Sequence, residues 1–136
     1  MILTDTGPLV ALINLNDPYH QAALQAAARL PTGPMVTTWP SFTEAMYLLG
    51  QATGIDGQEA LWKMIFANRL KIRDAATGEP ERMAELMRKY SDLPMDLADA
   101  SLITAAEALA VRRIFSFDGD FRIYVLRDGT TLELVN

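Results

Sequence analysis

The chain has 136 residues, of which half are hydrophobic and 21% are charged, so we expect residues 1–136 to form a single globular domain. The absence of cysteine excludes disulfides, zinc–thiolate sites and a cysteine nucleophile. A net charge of −5 argues against a protein that merely coats nucleic acid, but it leaves open a metal-dependent enzyme with a locally neutralised site.

Neither export nor membrane insertion is indicated by the sequence. The apolar N-terminus carries Asp5 and has no basic segment before it, which is not the pattern of a signal peptide. No run approaches the roughly 20 apolar residues that a membrane helix needs. We therefore expect a cytoplasmic protein without a membrane contact.

The first half of the chain predicts short strands that alternate with helices. Residues 2–5 form an apolar run interrupted by Gly7-Pro8, which indicates a buried strand ending at Asp5 and then a helix over 9–15. The pair Asp17-Pro18 is typical of a helix start, and the Ala-rich helix that follows continues to about Leu30. The pattern then predicts a strand over 35–38 and helices over 40–53 and 56–68.

The second half continues this alternation. The segment "RLKIRD" has alternating polarity, which predicts a half-buried strand at an edge of the sheet. Helices over 79–91 and 96–110 and an apolar strand over 113–117 follow. The segment "RIYVLRDGTTLELV" predicts a hairpin around Asp128-Gly129, or a strand pair at one edge. Strands and helices in this order predict an α/β fold with a mostly parallel sheet.

Acidic residues lie at the ends of several predicted apolar segments. In parallel sheets, sites form beyond the carboxyl ends of the strands, which is where Asp5 and Asp118 fall. Each acid also has a structural interpretation. Asp5 is a candidate helix cap, Glu44 forms a capping-box pattern with Ser41, and Asp118 precedes a glycine as in a turn.

Two further acids, Asp96 and Asp99, lie at the start of the helix over 96–110. Asp96 is the natural N-cap of that helix. Asp99 shares a stripe with Leu102 and Ile103, which predicts a carboxylate that points towards the core. Because an unpartnered buried charge is costly, we expect a positive group beside Asp99.

Taken together, these acids predict a metal site. Three or four carboxylates at one sheet edge repel one another unless a hard cation lies among them. Mg²⁺ and Mn²⁺ prefer oxygen ligands, and Mg²⁺ needs few carboxylates when a substrate phosphate is present. The chemistry that such a site favours is phosphodiester hydrolysis with a metal-activated water.

The four acids in their local contexts resemble a known family. In chain order these contexts are "LTDTGPLVALI", "FTEAMYLL", "LADASLITAAEAL" and "FSFDGDF". The sequence resembles the PIN-domain ribonucleases, and most closely the toxin subunits of VapBC-type toxin–antitoxin pairs. The resemblance covers essentially the whole chain. It implies a PIN-like three-layer fold with a mostly parallel central sheet of about five strands flanked by helices.

The resemblance also assigns roles to individual residues. Asp5, Asp99 and Asp118 would hold Mg²⁺ or Mn²⁺, and Glu44 would complete the site or orient the attacking water. Because Asp96 and Asp99 are close in sequence, the third ligand is open between them, and Asp99 fits the motif better. The accessory hydroxyls and acids would be Thr6, Asp96, Ser116 and Asp120.

The activity that the resemblance implies is a Mg²⁺- or Mn²⁺-dependent endoribonuclease that inhibits translation. Its partners would be an RNA substrate, a cognate antitoxin and a second copy of the chain in a homodimer. Apolar residues of the helices over 40–53 and 56–68 are candidates for these protein contacts, with core packing as the alternative. They are Phe42, Met46, Trp62, Met64, Ile65 and Phe66.

Three other functions are weighed against the nuclease. Asp5-Thr6-Gly7 matches the aspartic-protease tripeptide, but such proteases need two copies of it and are nearly all-β. A haloacid-dehalogenase-like phosphatase needs a second aspartate two residues after the first, where this chain has Gly7. A PIN-like scaffold that binds RNA or protein without cutting RNA stays open as the main alternative.

Overall fold

A computed structural model describes residues 1–136, which form five strands and six α-helices. The strands are β1 (Ile2–Thr4), β2 (Met35–Thr38), β3 (Leu70–Arg73), β4 (Arg113–Phe115) and β5 (Glu133–Val135). The helices are α1 (Thr6–Ile13), α2 (His20–Ala28), α3 (Trp39–Thr53), α4 (Ile55–Phe66), α5 (Glu79–Lys89) and α6 (Leu97–Leu109). None of these helices combines the length and the apolar character that crossing a membrane requires.

All five strands form one parallel sheet in the order β3-β2-β1-β4-β5. The central strand β1 pairs on both sides, with Leu3 opposite Val36 of β2 and Ile114 of β4. The chain therefore builds outwards from β1 in one direction through β2 and β3, and in the other through β4 and β5. The carboxyl ends of β1 and β4 lie side by side at this change of direction, where ligands bind in open parallel sheets.

Helices cover both faces of the sheet, which confirms the predicted three-layer α/β arrangement. Neighbouring residues of β1 point to opposite faces, so Leu3 joins a core cluster with α5 and α6 while Ile2 joins one with α1 and α2. A third cluster packs α3 and α4 against α1 and β3. Because α6 is buried without interruption from Ala98 to Ala106, it fixes the position of its acidic first turn.

The first helix starts earlier than its hydrophobic pattern predicts. It begins at Thr6, because the side chain of Asp5 accepts a hydrogen bond from the N–H of Thr6 and so caps the helix. The helix ends at Ile13. Pro8 is then in the first turn, where its missing N–H leaves no helical bond unmade. The strand ends at Thr4, so Asp5 is the junction between strand and helix.

The predicted C-terminal hairpin is wrong. Residues Gly119–Arg122 form a 3-10 helix, and the chain then returns so that β5 pairs in parallel with β4. Tyr124 and Leu126 are buried in the core, and Leu126 and Gly129 close a local turn by backbone hydrogen bonds. The Asp-Gly signal therefore marks a real turn that does not join two paired strands.

The apolar residues of α3 and α4 divide between the core and the surface. Phe42 is fully packed, and Met46, Met64 and Ile65 are half-buried. On α4, by contrast, Trp62 is 39% exposed and Phe66 is 73% exposed, and their rings stack at 6.1 Å. Together with Ile55, which is 63% exposed, they form what we call the α4 aromatic surface.

Candidate active site

The candidate site is built around Asp5, at the carboxyl end of β1. Its Oδ1 accepts the N–H of Thr6 at 2.7 Å, and its Oδ2 accepts the hydroxyl of Ser116 at 2.7 Å. The hydroxyl oxygen of Ser116 in turn accepts the N–H of Asp118 at 3.0 Å. Hydrogen bonds therefore link the ends of β1 and β4, and both oxygens of the buried Asp5 are held in place.

Asp118 follows β4 and caps the 3-10 helix, because its Oδ1 accepts the N–H of Asp120 at 2.9 Å. Ser116 links the backbone N–H of Asp118 to the carboxylate of Asp5. The negative charge of Asp118 contributes to the raised pKa of both Asp5 and Asp99. The charge of Asp120 helps to raise the pKa of Tyr124.

Asp99 points inwards from the first turn of α6, as its position on the apolar stripe predicts. Its Oδ2 accepts the hydroxyl of Tyr124 at 2.9 Å. The expected positive group is not there, since no ion pair includes Asp99. A neutral phenol supplies a hydrogen bond but no charge, so burial, followed by the charge of Asp96, raises the pKa of Asp99 to about 7.

Burial, followed by the charge of Asp99, raises the pKa of the Tyr124 hydroxyl. The phenol therefore stays protonated and acts as the donor in this contact. Sequence reasoning missed Tyr124, which it placed in a hairpin. The one available signal was the requirement that an inward Asp99 have a partner.

Asp96 is exposed and takes the N-cap position of α6. Its Oδ1 accepts the N–H of Asp99 at 2.8 Å, which confirms the capping interpretation. The two neighbouring acids therefore differ in environment, with Asp96 facing solvent and Asp99 facing the core. Asp96 still belongs to the acidic group, because its charge helps to raise the pKa of Asp99 and of Glu44.

Glu44 reaches the site from α3. The capping box with Ser41 does not form, because α3 begins at Trp39 and Thr38 is its N-cap. Instead, the hydroxyl of Thr6 lies 3.4 Å from Oε2 of Glu44 as a hydrogen-bond donor. Partial burial, followed by the charge of Asp96, raises the pKa of Glu44. Thr6 thus contacts Asp5 through its N–H and Glu44 through its hydroxyl.

The combined electrostatics of the site are strongly negative. Burial, with smaller contributions from the charges of Asp118 and Glu44, raises the pKa of Asp5 to about 6 despite two hydrogen bonds that lower it. None of the six acids at this edge takes part in an ion pair. They are Asp5, Glu44, Asp96, Asp99, Asp118 and Asp120.

The chemistry of these donors fits a hard divalent cation. Every candidate ligand is an oxygen, the ligand type that Mg²⁺ and Mn²⁺ prefer, and the mutual repulsion of the acids is what a cation relieves. In the present arrangement no three acidic or histidine side chains are spaced closely enough to hold one ion together. A shared ion would therefore be bound partly through its own water molecules or after small side-chain adjustments.

Comparison with known proteins places this geometry in a family. The sequence model of the PIN domain family matches residues 2–125 of this chain. A curated relative, Ribonuclease VapC26 of Mycobacterium tuberculosis, is 25% identical over 121 residues, which cover 86% of each chain.

Solved structures share the fold. VapC20 of Mycobacterium tuberculosis, described as a toxin that cleaves the sarcin-ricin loop, has a TM-score of 0.82 at 20% identity, covering 90% of this chain and 94% of its own. A toxin–antitoxin complex from Klebsiella pneumoniae has a TM-score of 0.65 at 20% identity, covering 89% and 90%. VapBC2 from Rickettsia felis, bound to a DNA fragment from its promoter, has a TM-score of 0.65 at 18% identity and full coverage of both chains.

These similarities confirm the PIN-like three-layer fold that the resemblance implies. The match to the family model also contains all four acids of the predicted motif, from Asp5 to Asp118. Since this match extends over most of the sequence, the chain belongs to the PIN domain family.

Proposed function

We propose that the protein is a metal-dependent endoribonuclease, the toxin of a type II toxin–antitoxin pair that inhibits translation in the cytoplasm. The observation that carries this proposal is the group of unpaired carboxylates at the carboxyl ends of β1 and β4, in a chain that belongs to the PIN domain family. The similarity to Ribonuclease VapC26 along most of both chains supports RNA as the substrate.

In this proposal Asp5, Asp99 and Asp118 hold Mg²⁺ or Mn²⁺. The bound ion would neutralise the acids and make a water molecule nucleophilic at neutral pH. Ser116 and the N–H of Thr6 fix the orientation of Asp5. Glu44 lies on α3 at the same edge and is only partly buried, so it is available to complete the site or to orient the attacking water. Thr6, Ser116, Asp96 and Asp120 have supporting roles.

The decisive experiment measures cleavage of a structured RNA by the purified protein. We expect cleavage with Mg²⁺ or Mn²⁺, and none after EDTA is added. Asp5→Asn keeps the shape of the side chain but removes a charged ligand, and we expect it to lower the cleavage rate by about 100-fold or more. The exposed Asp92→Asn is the matched control and should cleave at the wild-type rate. Full cleavage in EDTA, or by Asp5→Asn, contradicts the proposal.

The same experiment separates the nuclease from its main alternative. A PIN-like module that only binds RNA or protein would retain RNA under all conditions without producing fragments. The aspartic-protease interpretation does not fit the structure, because Asp5-Thr6-Gly7 lies at a strand-to-helix junction of a parallel α/β sheet. The α/β sheet and its helices also differ from the nearly all-β fold of those proteases.

We further propose two protein partners, a cognate antitoxin and a second copy of the chain. The solved complexes from Klebsiella pneumoniae and Rickettsia felis, which share the fold, support an antitoxin. The α4 aromatic surface supports a protein contact, because two stacked aromatic rings and Ile55 are left facing solvent. We assign this surface to the homodimer.

A further inference from the structure

Tyr124 is a fully buried residue whose polar atom reaches the candidate site. Its ring packs edge-on against Tyr90 at 5.1 Å and against Phe121 at 5.4 Å. Its hydroxyl donates to Oδ2 of Asp99 at 2.9 Å. Because the ring is enclosed on several sides, the hydroxyl has little freedom to leave Asp99.

The backbone next to Tyr124 is hydrogen-bonded to side chains of α5 and of α6, the helix that carries Asp99. The N–H of Val125 donates to the hydroxyl oxygen of Tyr90 at 2.9 Å, which ties the segment to the end of α5. The N–H of Arg127 donates to Oε2 of Glu107 on α6 at 2.7 Å. Glu107 is itself held by a two-bond ion pair with Arg82 of α5. Side-chain contacts with two helices therefore set the position of Tyr124.

Asp99 depends on this one contact more than Asp5 depends on any of its own. Asp5 has hydrogen bonds to both carboxylate oxygens, whereas the carboxylate of Asp99 accepts only from Tyr124. The other groups that act on Asp99 include Asp96 and Asp118, whose charges repel it. Without the phenol, no hydrogen bond would hold the Asp99 carboxylate in a fixed orientation.

We propose that Tyr124 is a positioning residue of the metal site, which holds Oδ2 of Asp99 and leaves Oδ1 free to bind the divalent cation. The inference rests on the metal site of the proposed function. Hydrogen-bond partners of ligating carboxylates orient the ligand before the ion arrives, and their loss typically weakens metal binding by about 10- to 100-fold.

The test is a titration of EDTA-treated, dialysed protein with Mn²⁺, followed by the rise in melting temperature. Tyr124→Phe removes one oxygen and keeps the ring, and we expect its half-maximal Mn²⁺ concentration to be about 10-fold higher than that of the wild type or more. Tyr90→Phe is the matched control, because it removes the hydroxyl of the other tyrosine in the same ring pair. That hydroxyl contacts the backbone N–H of Val125 and not Asp99. It should lower the melting temperature without metal and raise the half-maximal concentration far less than Tyr124→Phe does, because the Tyr124 hydroxyl remains on Asp99.

Each other outcome has a defined meaning. Equal half-maximal concentrations for wild type and Tyr124→Phe overturn the positioning role while leaving the metal site intact. Equal increases in Tyr124→Phe and Tyr90→Phe also overturn it, because the effect then comes from the segment and not from the hydroxyl. No response of the wild type overturns the metal site and this inference with it.

Asp99→Asn tests the same contact from its other side and is available if Tyr124→Phe does not fold. The amide keeps the size of the carboxylate and removes its charge, so we expect weaker Mn²⁺ binding than in the wild type. A wild-type half-maximal concentration for Asp99→Asn would mean that Tyr124 positions a residue that does not bind the ion, which overturns the inference.

Discussion

Asp5 and Asp99 have carboxyl groups that are harder to ionise in the folded chain than in the unfolded one. Their pKa values of about 6 and about 7 lie above the ordinary value of 3.8, mainly because both groups are buried. Between pH 4 and pH 7 the folded state therefore binds more protons than the unfolded state. The free energy of unfolding then falls as the pH rises through this window, by an amount on the order of a few kcal/mol for the pair.

This fall in the free energy of unfolding with rising pH gives a prediction for the metal-free protein. In EDTA, the melting temperature should be higher at pH 5 than at pH 8. Asp99→Asn should reduce this difference and should melt above the wild type at pH 8, since it removes a buried charge that lacks a cation. Thermal unfolding at both pH values measures the effect, with Asp92→Asn as the exposed control. The expectation fails if the wild type and Asp99→Asn melt together at pH 8.

At the scale of elements, α5 and α6 are joined by a largely buried ion pair. Arg82 makes two hydrogen bonds to Glu107, at 3.0 and 2.8 Å, and Glu107 also accepts the N–H of Arg127. The side chains of the pair are only 9% and 13% exposed, so neither charge is well hydrated if its partner is lost. The pair therefore links the two helices to the segment that carries Tyr124.

Arg82→Ala should consequently destabilise the protein by about 3 kcal/mol, because it leaves Glu107, in a poorly hydrated position, with only the more distant and exposed Arg127 at 3.9 Å. Urea unfolding followed by circular dichroism measures the change. Arg88→Ala, an exposed arginine on the same helix, is the control and should have a much smaller effect. Equal effects of the two substitutions would show that the ion pair contributes nothing beyond an ordinary surface charge.

Local sequence patterns predict most elements because those elements depend on local physics. Apolar runs give the strands β1, β2 and β4, and alternating polarity gives β3. Gly54 ends one helix where the chain turns with a positive φ. Local sequence patterns do not predict the C-terminal segment correctly. Its Asp-Gly turn is local, but the direction of β5 is set by pairing with β4 and by the burial of Tyr124, both of which are properties of the assembled core.

The candidate site shows the same division. The positions of Asp5 and Asp118 follow from where parallel strands end, and the inward direction of Asp99 follows from its stripe on α6. The partner of Asp99 does not follow from any pattern, because Tyr124 is 25 residues away in a segment without regular structure. Electrostatics alone suggests a cation there, whereas the folded chain supplies a neutral donor.

At the scale of the whole molecule, the α4 aromatic surface offers a place for a protein contact. Trp62 packs edge-on against the buried Phe42 at 5.1 Å, so its position is fixed by the core while one side faces solvent. The ring of Phe66 stacks on the ring of Trp62 and extends the apolar surface towards the end of α4. Rigid aromatic groups of this kind are the residues that dominate binding energy at protein interfaces.

If this surface forms the proposed homodimer, Phe66→Ser should shift the protein towards the monomer, since the loss of an aromatic hot-spot contact typically costs about 2 kcal/mol or more of binding energy. Light scattering coupled to size exclusion should then give a mass near 15.0 kDa for the variant, and twice that for the wild type. Leu15→Ser is the control, because Leu15 is 76% exposed and lies in the loop after α1. It removes a similarly exposed apolar group without touching α4 and should remain dimeric. A wild-type dimer that Phe66→Ser leaves intact would place the contact elsewhere and leave the α4 aromatic surface free for the antitoxin.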